Sequence, residues 1–284
     1  MFIGYNTNGF AHHALEDAIS ILAELGYGGI GLTLDHATLY PGQSGLAAKV
    51  ERTRALLEAN RLTCVVETGA RFLLDPRRKH QPTLLSDAPA ERRRRFDFLR
   101  DCVHIARDLG AGEVSFWSGS PPDDTPAEVL RPRLVEQCRT LAEDASIAGV
   151  RLAFEPEPGM WIDTMACAGE LLSAVDHPAF GLTLDVGHLQ CLGELPISKY
   201  LIDYRDRLWN VHIEDMKTGI HDHAMFGEGD IDFADVFEGL NAAQYRGGLY
   251  VELSRHSHDA VETARRAIDF LRGFMAGVPT TLTS

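Results

Sequence analysis

Four side chains that could bind a cation recur through the second half of the chain. They are Glu155, Asp185, His212 and Glu252. Each belongs to the end of a short apolar run, and the intervals between them are 30, 27 and 40 residues. Three carboxylates and one imidazole form an oxygen-rich donor set that suits a hard or borderline divalent ion such as Mn²⁺. The residue types and their spacing therefore predict a site for one divalent metal ion.

Eight apolar runs, rich in β-branched and aromatic residues, are the elements that must position these side chains. The runs cover residues 2–6, 28–34, 62–67, 112–117, 150–155, 180–185, 209–214 and 248–253. Helical patterns separate them, at residues 13–26, 46–60, 90–110, 126–149, 165–176, 197–206, 233–240 and 259–275. Strict alternation of strand and helix predicts an α/β fold with a parallel sheet. Eight repeats predict closure into a single (β/α)₈ TIM barrel over residues 1–284.

In such a barrel the carboxyl ends of the strands meet at one mouth, where the four side chains would converge. Moving a proton between adjacent carbons of a hydroxy-carbonyl compound passes through an enediolate, whose oxygens a divalent ion can stabilise. Glu155 and Glu252 stand three strands apart and would reach opposite faces of a bound sugar, one removing the proton and one returning it. They are the predicted catalytic pair. The alternative is a set of strand ends that are merely polar and solvated.

Two segments, residues 68–90 and 214–232, are longer than a barrel requires, and both emerge on the side where barrel active sites form. The first carries a basic cluster, Arg71 and residues 77–80, in a chain whose formal net charge is −14. We expect this cluster to hold an anionic or polyhydroxylated substrate, or to fold over it as a lid. Arg71 is the favoured contact because it lies four residues past the third run. A solvated loop with surface ion pairs is the alternative.

The motifs around these residues resemble the xylose isomerase-like TIM barrel superfamily, which includes sugar isomerases, ketose 3-epimerases, inosose dehydratases and the endonuclease IV branch. The similar motifs are Glu155 in FEPEPG, DVGH at 185–188, VHIED at 211–215 and YVELS at 250–254. The resemblance implies one Mn²⁺, Mg²⁺ or Co²⁺ ion held by the four donors, with Zn²⁺ also compatible. It implies that Glu155 and Glu252 act as the acid–base groups.

Further residues near the mouth are expected to contact the substrate. They are Trp117, Glu157, His188, Lys217, His221 and His223. Trp117 would form an apolar wall, and Glu157 would bind a hydroxyl or orient a metal ligand. Ketose 3-epimerases usually place an arginine after the seventh-strand histidine, where this chain offers Lys217, His221 and His223. Because of this departure, the resemblance does not decide the identity of the substrate.

His188 has two interpretations. It resembles a further metal ligand of the endonuclease IV branch, or a donor to a substrate hydroxyl as in the epimerases, and the second is preferred. His221 and His223 also resemble the endonuclease IV pattern, but that branch needs histidines where this chain has Glu67 and Trp117. The strongly acidic charge further argues against a nucleic-acid partner, since phosphate contacts dominate that affinity.

Composition bounds the remaining classes. Hydrophobic residues make up 45% and charged residues 24%, as in ordinary globular proteins. Without an apolar run of membrane-spanning length or a signal-like start, we expect a cytoplasmic protein with no membrane partner. Five scattered cysteines without a C-x-x-C pair argue against disulfides and zinc knuckles.

The sequence therefore predicts a metal-dependent sugar isomerase or epimerase acting on a small carbohydrate. The sequence is also compatible with assembly of this protein into a homo-oligomer. A dehydratase or lyase acting on a keto-sugar, keto-glycoside or inosose would use the same site. A phosphodiesterase of the endonuclease IV kind and a non-catalytic carbohydrate-binding barrel are the less favoured alternatives.

Overall fold

The computed structural model describes residues 1–122 and 124–275. The strands in this part of the chain are β1 (Phe2–Asn6), β2 (Gly29–Thr33), β3 (Thr63–Glu67), β4 (Glu113–Phe116), β5 (Arg151–Phe154), β6 (Phe180–Asp185), β7 (Leu208–Ile213), β8 (Asp215–Lys217), β9 (Ile220–Ala224) and β10 (Gly248–Val251). The α-helices are α1 (Leu15–Leu25), α2 (Leu46–Asn60), α3 (Pro89–Leu109), α4 (Ala127–Ala148), α5 (Met165–Val175), α6 (Val186–Leu192), α7 (Ile197–Asp203), α8 (Phe233–Ala242) and α9 (Ala260–Met275).

Eight parallel strands close into a barrel in the order β1-β10-β7-β6-β5-β4-β3-β2. Helices separate consecutive barrel strands along the chain, so the predicted (β/α)₈ TIM barrel is confirmed. The prediction of one domain over residues 1–284 extends to residues 123 and 276–284, which lie outside the described residues. No helix of the described chain is long and apolar enough to cross a membrane.

Glycines end several helices as their positions predict. Gly110 and Gly149 follow α3 and α4 with φ of 75° and 73°, a left-handed conformation that glycine adopts without a steric penalty. Their backbone N–H groups donate to carbonyls of the preceding turn. The chain therefore reverses within a few residues and enters the next strand directly.

The interior of the barrel changes from apolar to polar toward the carboxyl ends of the strands. Ser115, Thr183 and Asn210 are fully buried there. Thr183 Oγ1 donates to Ser115 Oγ at 2.8 Å, and Asn210 Nδ2 lies 3.3 Å from Thr183 Oγ1. Asn210 Oδ1 is buried without a hydrogen-bond partner among the described residues, while the bonds above link the other groups of this polar layer. The layer forms the floor on which the ionisable side chains rest.

One short helix and one hairpin were not predicted from the sequence. The short helix α6 begins immediately after Asp185, and the antiparallel strands β8 and β9 form a hairpin inside the long segment after β7. Helix α7 also ends at Asp203, earlier than the predicted 206. Both additions lie at the carboxyl end of the barrel, so they add structure to the same mouth that the predicted site occupies.

Candidate active site

The four predicted metal donors converge at the mouth of the barrel. Asp185 ends β6 and lies beside His212 of β7 in the strand register, while Glu155 and Glu252 directly follow β5 and β10. His212 Nδ1 lies 3.0 Å from Glu155 Oε1, 3.0 Å from Glu252 Oε2 and 3.9 Å from Asp185 Oδ2. One ligand atom from each of the four lies within 4.8 Å of the others. This group is compact enough to surround one ion.

The second nitrogen of His212 faces another carboxylate. His212 Nε2 lies 3.0 Å from Glu67 Oε1, at the end of β3, and Asn210 Nδ2 donates to the same oxygen at 3.2 Å. A ring N–H donated to a carboxylate fixes the tautomer and orientation of a ligating histidine. Glu67 therefore directs Nδ1 of His212 toward Glu155, Asp185 and Glu252.

Two amides orient Glu252. Asn6 Nδ2 donates to Glu252 Oε2 at 3.2 Å, and Asn8 Nδ2 donates to Glu252 Oε1 at 2.9 Å. A carboxylate held through both oxygens cannot rotate freely about its terminal bond. The carboxylate of Glu252 is therefore positioned before any ligand arrives.

The two predicted catalytic glutamates differ in acidity. Burial, reinforced by the charges of Glu252 and Asp185 against the opposing effect of His212, raises the pKa of Glu155 to about 7. Burial also disfavours the charged form of Glu252, but the hydrogen bond and charge of His212 outweigh it and lower the pKa below its ordinary value. Environments that push two carboxyl pKa values apart are typical of acid–base pairs.

Three histidines form a second group beside the first. His188 comes from α6, and His221 and His223 come from β9. His188 Nε2 lies 3.1 Å from His221 Nε2, and one ring nitrogen from each of the three lies within 4.8 Å of the others. This arrangement fits hydrogen bonds to a substrate, and it also fits a second cation with nitrogen ligands.

One carboxylate fixes the hairpin that carries His221 and His223. Asp215 accepts hydrogen bonds from the backbone N–H groups of Met216 at 2.9 Å, Gly227 at 2.8 Å and Ile231 at 3.2 Å. Glu214, beside it, is fully buried, and burial together with the charge of Asp185 raises its pKa well above the ordinary value. His223 lies close by, with Nδ1 3.7 Å from Glu214 Oε1.

A cavity of about 230 Å³ opens above the four donors. Of the predicted substrate contacts, the side chains that line it are Arg71, Trp117, Glu157, His188, His221 and His223. Burial and the charge of Glu155 raise the pKa of Glu157 to about 8. Burial lowers the pKa of His188 to about 4, so its imidazole is neutral near pH 7.

Lys217 is the predicted contact that the structure does not bring to the site. It is exposed at the end of β8 and is not among the described residues that line the cavity. The two preceding residues of the strand, Asp215 and Met216, are buried, whereas the side chain of Lys217 is exposed to solvent. A role for Lys217 in binding substrate therefore has no geometric support.

Sequence reasoning missed the residues that orient the donors. Glu67 ends an apolar run as the predicted metal donors do, and this position is a signal for a site residue. The sequence comparison with endonuclease IV uses Glu67 only as a departure from that pattern. Asn6 also ends a strand, and Asn8 lies in the short 3₁₀ helix Thr7–Phe10 that follows. Glu214 is adjacent in sequence to a strand end and could not be distinguished from a solvated residue.

The barrel and its group of three carboxylates and a histidine define an α/β barrel of the sugar isomerase and epimerase class. The sequence model of the family described as "Xylose isomerase-like TIM barrel" matches residues 19–274, and the chain belongs to this family. The predicted family and the predicted enzyme class, isomerase or epimerase, are both confirmed.

Individual proteins similar to this chain include two that are named as sugar epimerases. L-ribulose-5-phosphate 3-epimerase of Shigella flexneri is 26% identical over 219 residues, which cover 76% of each chain. D-allulose 3-epimerase from Methylomonas sp., solved in complex with D-allulose, has a TM-score of 0.77 at 23% identity and covers 96% of each chain. The IOLI protein with a bound zinc atom has a TM-score of 0.79 at 14% identity, covering 99% of this chain and 100% of that one. These two structures establish the likeness of fold.

Proposed function

We propose that the protein is a divalent-metal-dependent epimerase or isomerase of a small ketose, acting by proton transfer next to the carbonyl. The observation that carries the proposal is the placement of Glu155 and Glu252 at the same atom, His212 Nδ1, each 3.0 Å away, with their pKa values shifted in opposite directions. The curated relative that acts on ribulose 5-phosphate supports the same class of substrate.

The residues present fit a divalent ion. Asp185 Oδ2 is buried and has no hydrogen-bond partner within the described chain, which is costly unless a cation or a protonated group completes it. Glu155, Asp185, His212 and Glu252 would hold the ion, and three carboxylates with one imidazole match Mn²⁺, Mg²⁺, Co²⁺ or Zn²⁺. When bound, such an ion supplies electrostatic stabilisation to negative charge on substrate oxygens.

The protein's own groups divide the proton transfers. Glu252 is held by Asn6 and Asn8 and stays ionised, so it is the group ready to take a proton from carbon. The pKa of Glu155 is about 7, so a substantial fraction of this carboxyl group is protonated near pH 7. It can therefore deliver a proton on the other face. His188 is neutral and lines the cavity together with Glu157, so it is placed to exchange hydrogen bonds with a hydroxyl. Trp117 closes one wall and keeps water away from the carbanionic carbon.

Solvent exchange tests this proposal. Incubation of ketopentoses, ketohexoses and their phosphates with the Mn²⁺-loaded protein in D₂O should place deuterium at the carbon beside the carbonyl, with the epimer or isomer as product. Glu252→Gln should abolish that exchange and weaken metal binding, since an amide is a poor ligand and no base. Glu113→Gln, at the opposite end of the barrel, is the matched control and should retain both properties.

Other outcomes would move the assignment. Release of water or an aglycone in place of an epimer would identify a dehydratase or lyase. The three-histidine group favours one second candidate, a multi-metal phosphodiesterase, because it offers ligands for another cation. Metal analysis separates the two, since the epimerase proposal requires one ion per chain. Two or three ions per chain, together with cleavage of abasic DNA, would favour the phosphodiesterase over the epimerase.

A further inference from the structure

The cavity is divided into an acidic floor and a basic rim. The metal donors and Glu67 supply the negative charge below, while Arg71, Lys79 and Arg255 line the opening above them. A sugar whose carbonyl end reaches the donors would extend its other end through a cavity that these three cations also line.

Arg71 and Lys79 have no counter-ion. Neither forms an ion pair with an acidic side chain in residues 1–122 and 124–275, whereas Arg78 on the same loop contacts Asp75 at 2.7 Å and Glu91 at 2.8 Å. Arg255 pairs with Asp222 at 2.6 Å, but both side chains are more than half exposed. Such an exposed pair contributes little and can be exchanged for a better anion.

The loop presents Arg71 and Lys79 in a fixed arrangement. His80 N–H donates to the Arg71 carbonyl at 2.6 Å, which closes the loop so that its two ends meet. His80 Nδ1 lies 2.8 Å from the Gly69 carbonyl, and the ring packs edge-on against Trp117 with centroids 5.1 Å apart.

The backbone is strained at both ends of this loop. Ala70 and His80 adopt positive φ angles of 43° and 64°, a conformation that is unfavourable for residues other than glycine. Such strain is concentrated at ligand clamps, where surrounding contacts maintain it. The loop is therefore organised before any ligand binds.

A fourth cation lies behind the cavity wall. Arg95 of α3 is 1% exposed, and its guanidinium lies 4.6 Å from the centroid of the Trp117 ring. Arg95 Nη2 donates to the Thr68 carbonyl at 3.2 Å, while Nη1 has no partner among the described residues. Burial of an unpaired charge is costly. An anion held against Thr68 and Trp117, which both line the cavity, would offset that cost.

We propose that this basic side of the cavity is a subsite for a terminal phosphate, so that the substrate is a ketose phosphate and not a free ketose. Arg71 offers two parallel N–H donors to phosphate oxygens, and Lys79 offers a mobile point charge. The volume of about 230 Å³ is below the roughly 300–1,000 Å³ of pockets for drug-sized ligands, in keeping with a short sugar. The sugar part of this substrate rests on the proposed function, but the anion subsite does not.

Calorimetry with unreactive probes tests the subsite without any turnover. The Mn²⁺-loaded full chain is titrated with ribitol 5-phosphate, with ribitol and with ribonate, which carries a carboxylate in place of the phosphate. Ribitol 5-phosphate should bind roughly 100-fold more tightly than ribitol. Arg71→Ala and Lys79→Ala should each reduce that ratio roughly 10-fold or more, and the double variant should abolish most of it. Arg77→Ala, exposed on the same loop and outside the cavity, is the matched control and should leave the ratio unchanged.

Several results would overturn the subsite. One is equal binding of ribitol and ribitol 5-phosphate, and another is binding of ribonate as tightly as the phosphate. The third is a preference for ribitol 5-phosphate over ribitol that survives in the double variant, because the phosphate then binds elsewhere. Since none of the probes has a carbonyl, these results are independent of proton exchange. A protein that binds the phosphate but exchanges no ketose proton would keep the subsite and lose the proposed function.

Discussion

Glu67→Gln is the substitution that best tests how the metal site is built. Glu67 accepts from His212 Nε2 at 3.0 Å without being one of the four donors. Glutamine has nearly the same shape, and its carbonyl still accepts the ring N–H, so the change removes the charge and little else. Asn210 Nδ2, which also donates to Glu67 Oε1, retains an acceptor.

The expected loss follows from the kind of hydrogen bond that is replaced. A bond to a charged acceptor contributes about 1.5–3 kcal/mol and a neutral one about 1 kcal/mol. The difference, about 0.5–2 kcal/mol, corresponds to a metal affinity that is roughly 2- to 30-fold weaker. This range overlaps the 10- to 100-fold cost usual for partners of metal-bound histidines.

Competition with a fluorescent chelator, run against Mn²⁺ for both proteins, measures this ratio. Glu113→Gln removes a carboxylate at the other end of the barrel and should match the unmodified chain. An affinity for Mn²⁺ that is unchanged in Glu67→Gln would refute the view that this carboxylate orients His212. Circular dichroism separates a local effect from a loss of fold.

Two further predictions concern protons and the hairpin. Burial opposes protonation of His212, but Glu67 and Glu155 raise its pKa well above 6.5, so a cation must displace a proton. The pKa of Glu155, another predicted donor, is about 7, so a second proton must be displaced at lower pH. Mn²⁺ affinity should therefore fall by roughly 10-fold or more per pH unit as pH decreases below 7, and a flat profile by calorimetry would contradict this. Asp215→Ala removes three hydrogen bonds to backbone N–H groups and should lower the free energy of unfolding by about 2–3 kcal/mol in urea denaturation. The exposed Asp206→Ala is its control, and equal stability of the two variants would show that the hairpin does not depend on Asp215.

The convergence of the four predicted metal donors could be predicted from sequence because a polar side chain at the end of a buried strand is rarely there for packing. The same reasoning could not give α6, since the run after Asp185 is short and contains Gly187, which disfavours helix. What starts α6 is the side chain of Asp185, whose Oδ1 accepts from His188 N–H at 2.9 Å. A residue interpreted only as a metal donor is thus also a helix cap.

The hairpin escaped prediction for a different reason. Residues 215–224 are too polar to show an alternating pattern, and only Thr218 and Gly219 indicated a turn. Its conformation depends on hydrogen bonds to Asp215 from Gly227 and Ile231, which lie beyond the hairpin. Lys217 lies at the end of the same unrecognised strand, where its side chain is exposed, so its orientation could not be predicted from the sequence.

The origins of the site residues also bear on how such enzymes diversify. The four predicted metal donors lie in or directly after β5, β6, β7 and β10, which are neighbours in the barrel. The rim, in contrast, comes from the loop after β3, the hairpin after β7 and the segment after β10. Loops tolerate exchange far better than barrel strands. Replacement of the rim can therefore redirect the enzyme to another sugar while its proton-transfer groups persist, and the loop that carries Arg71 and Lys79 is where an engineer would begin.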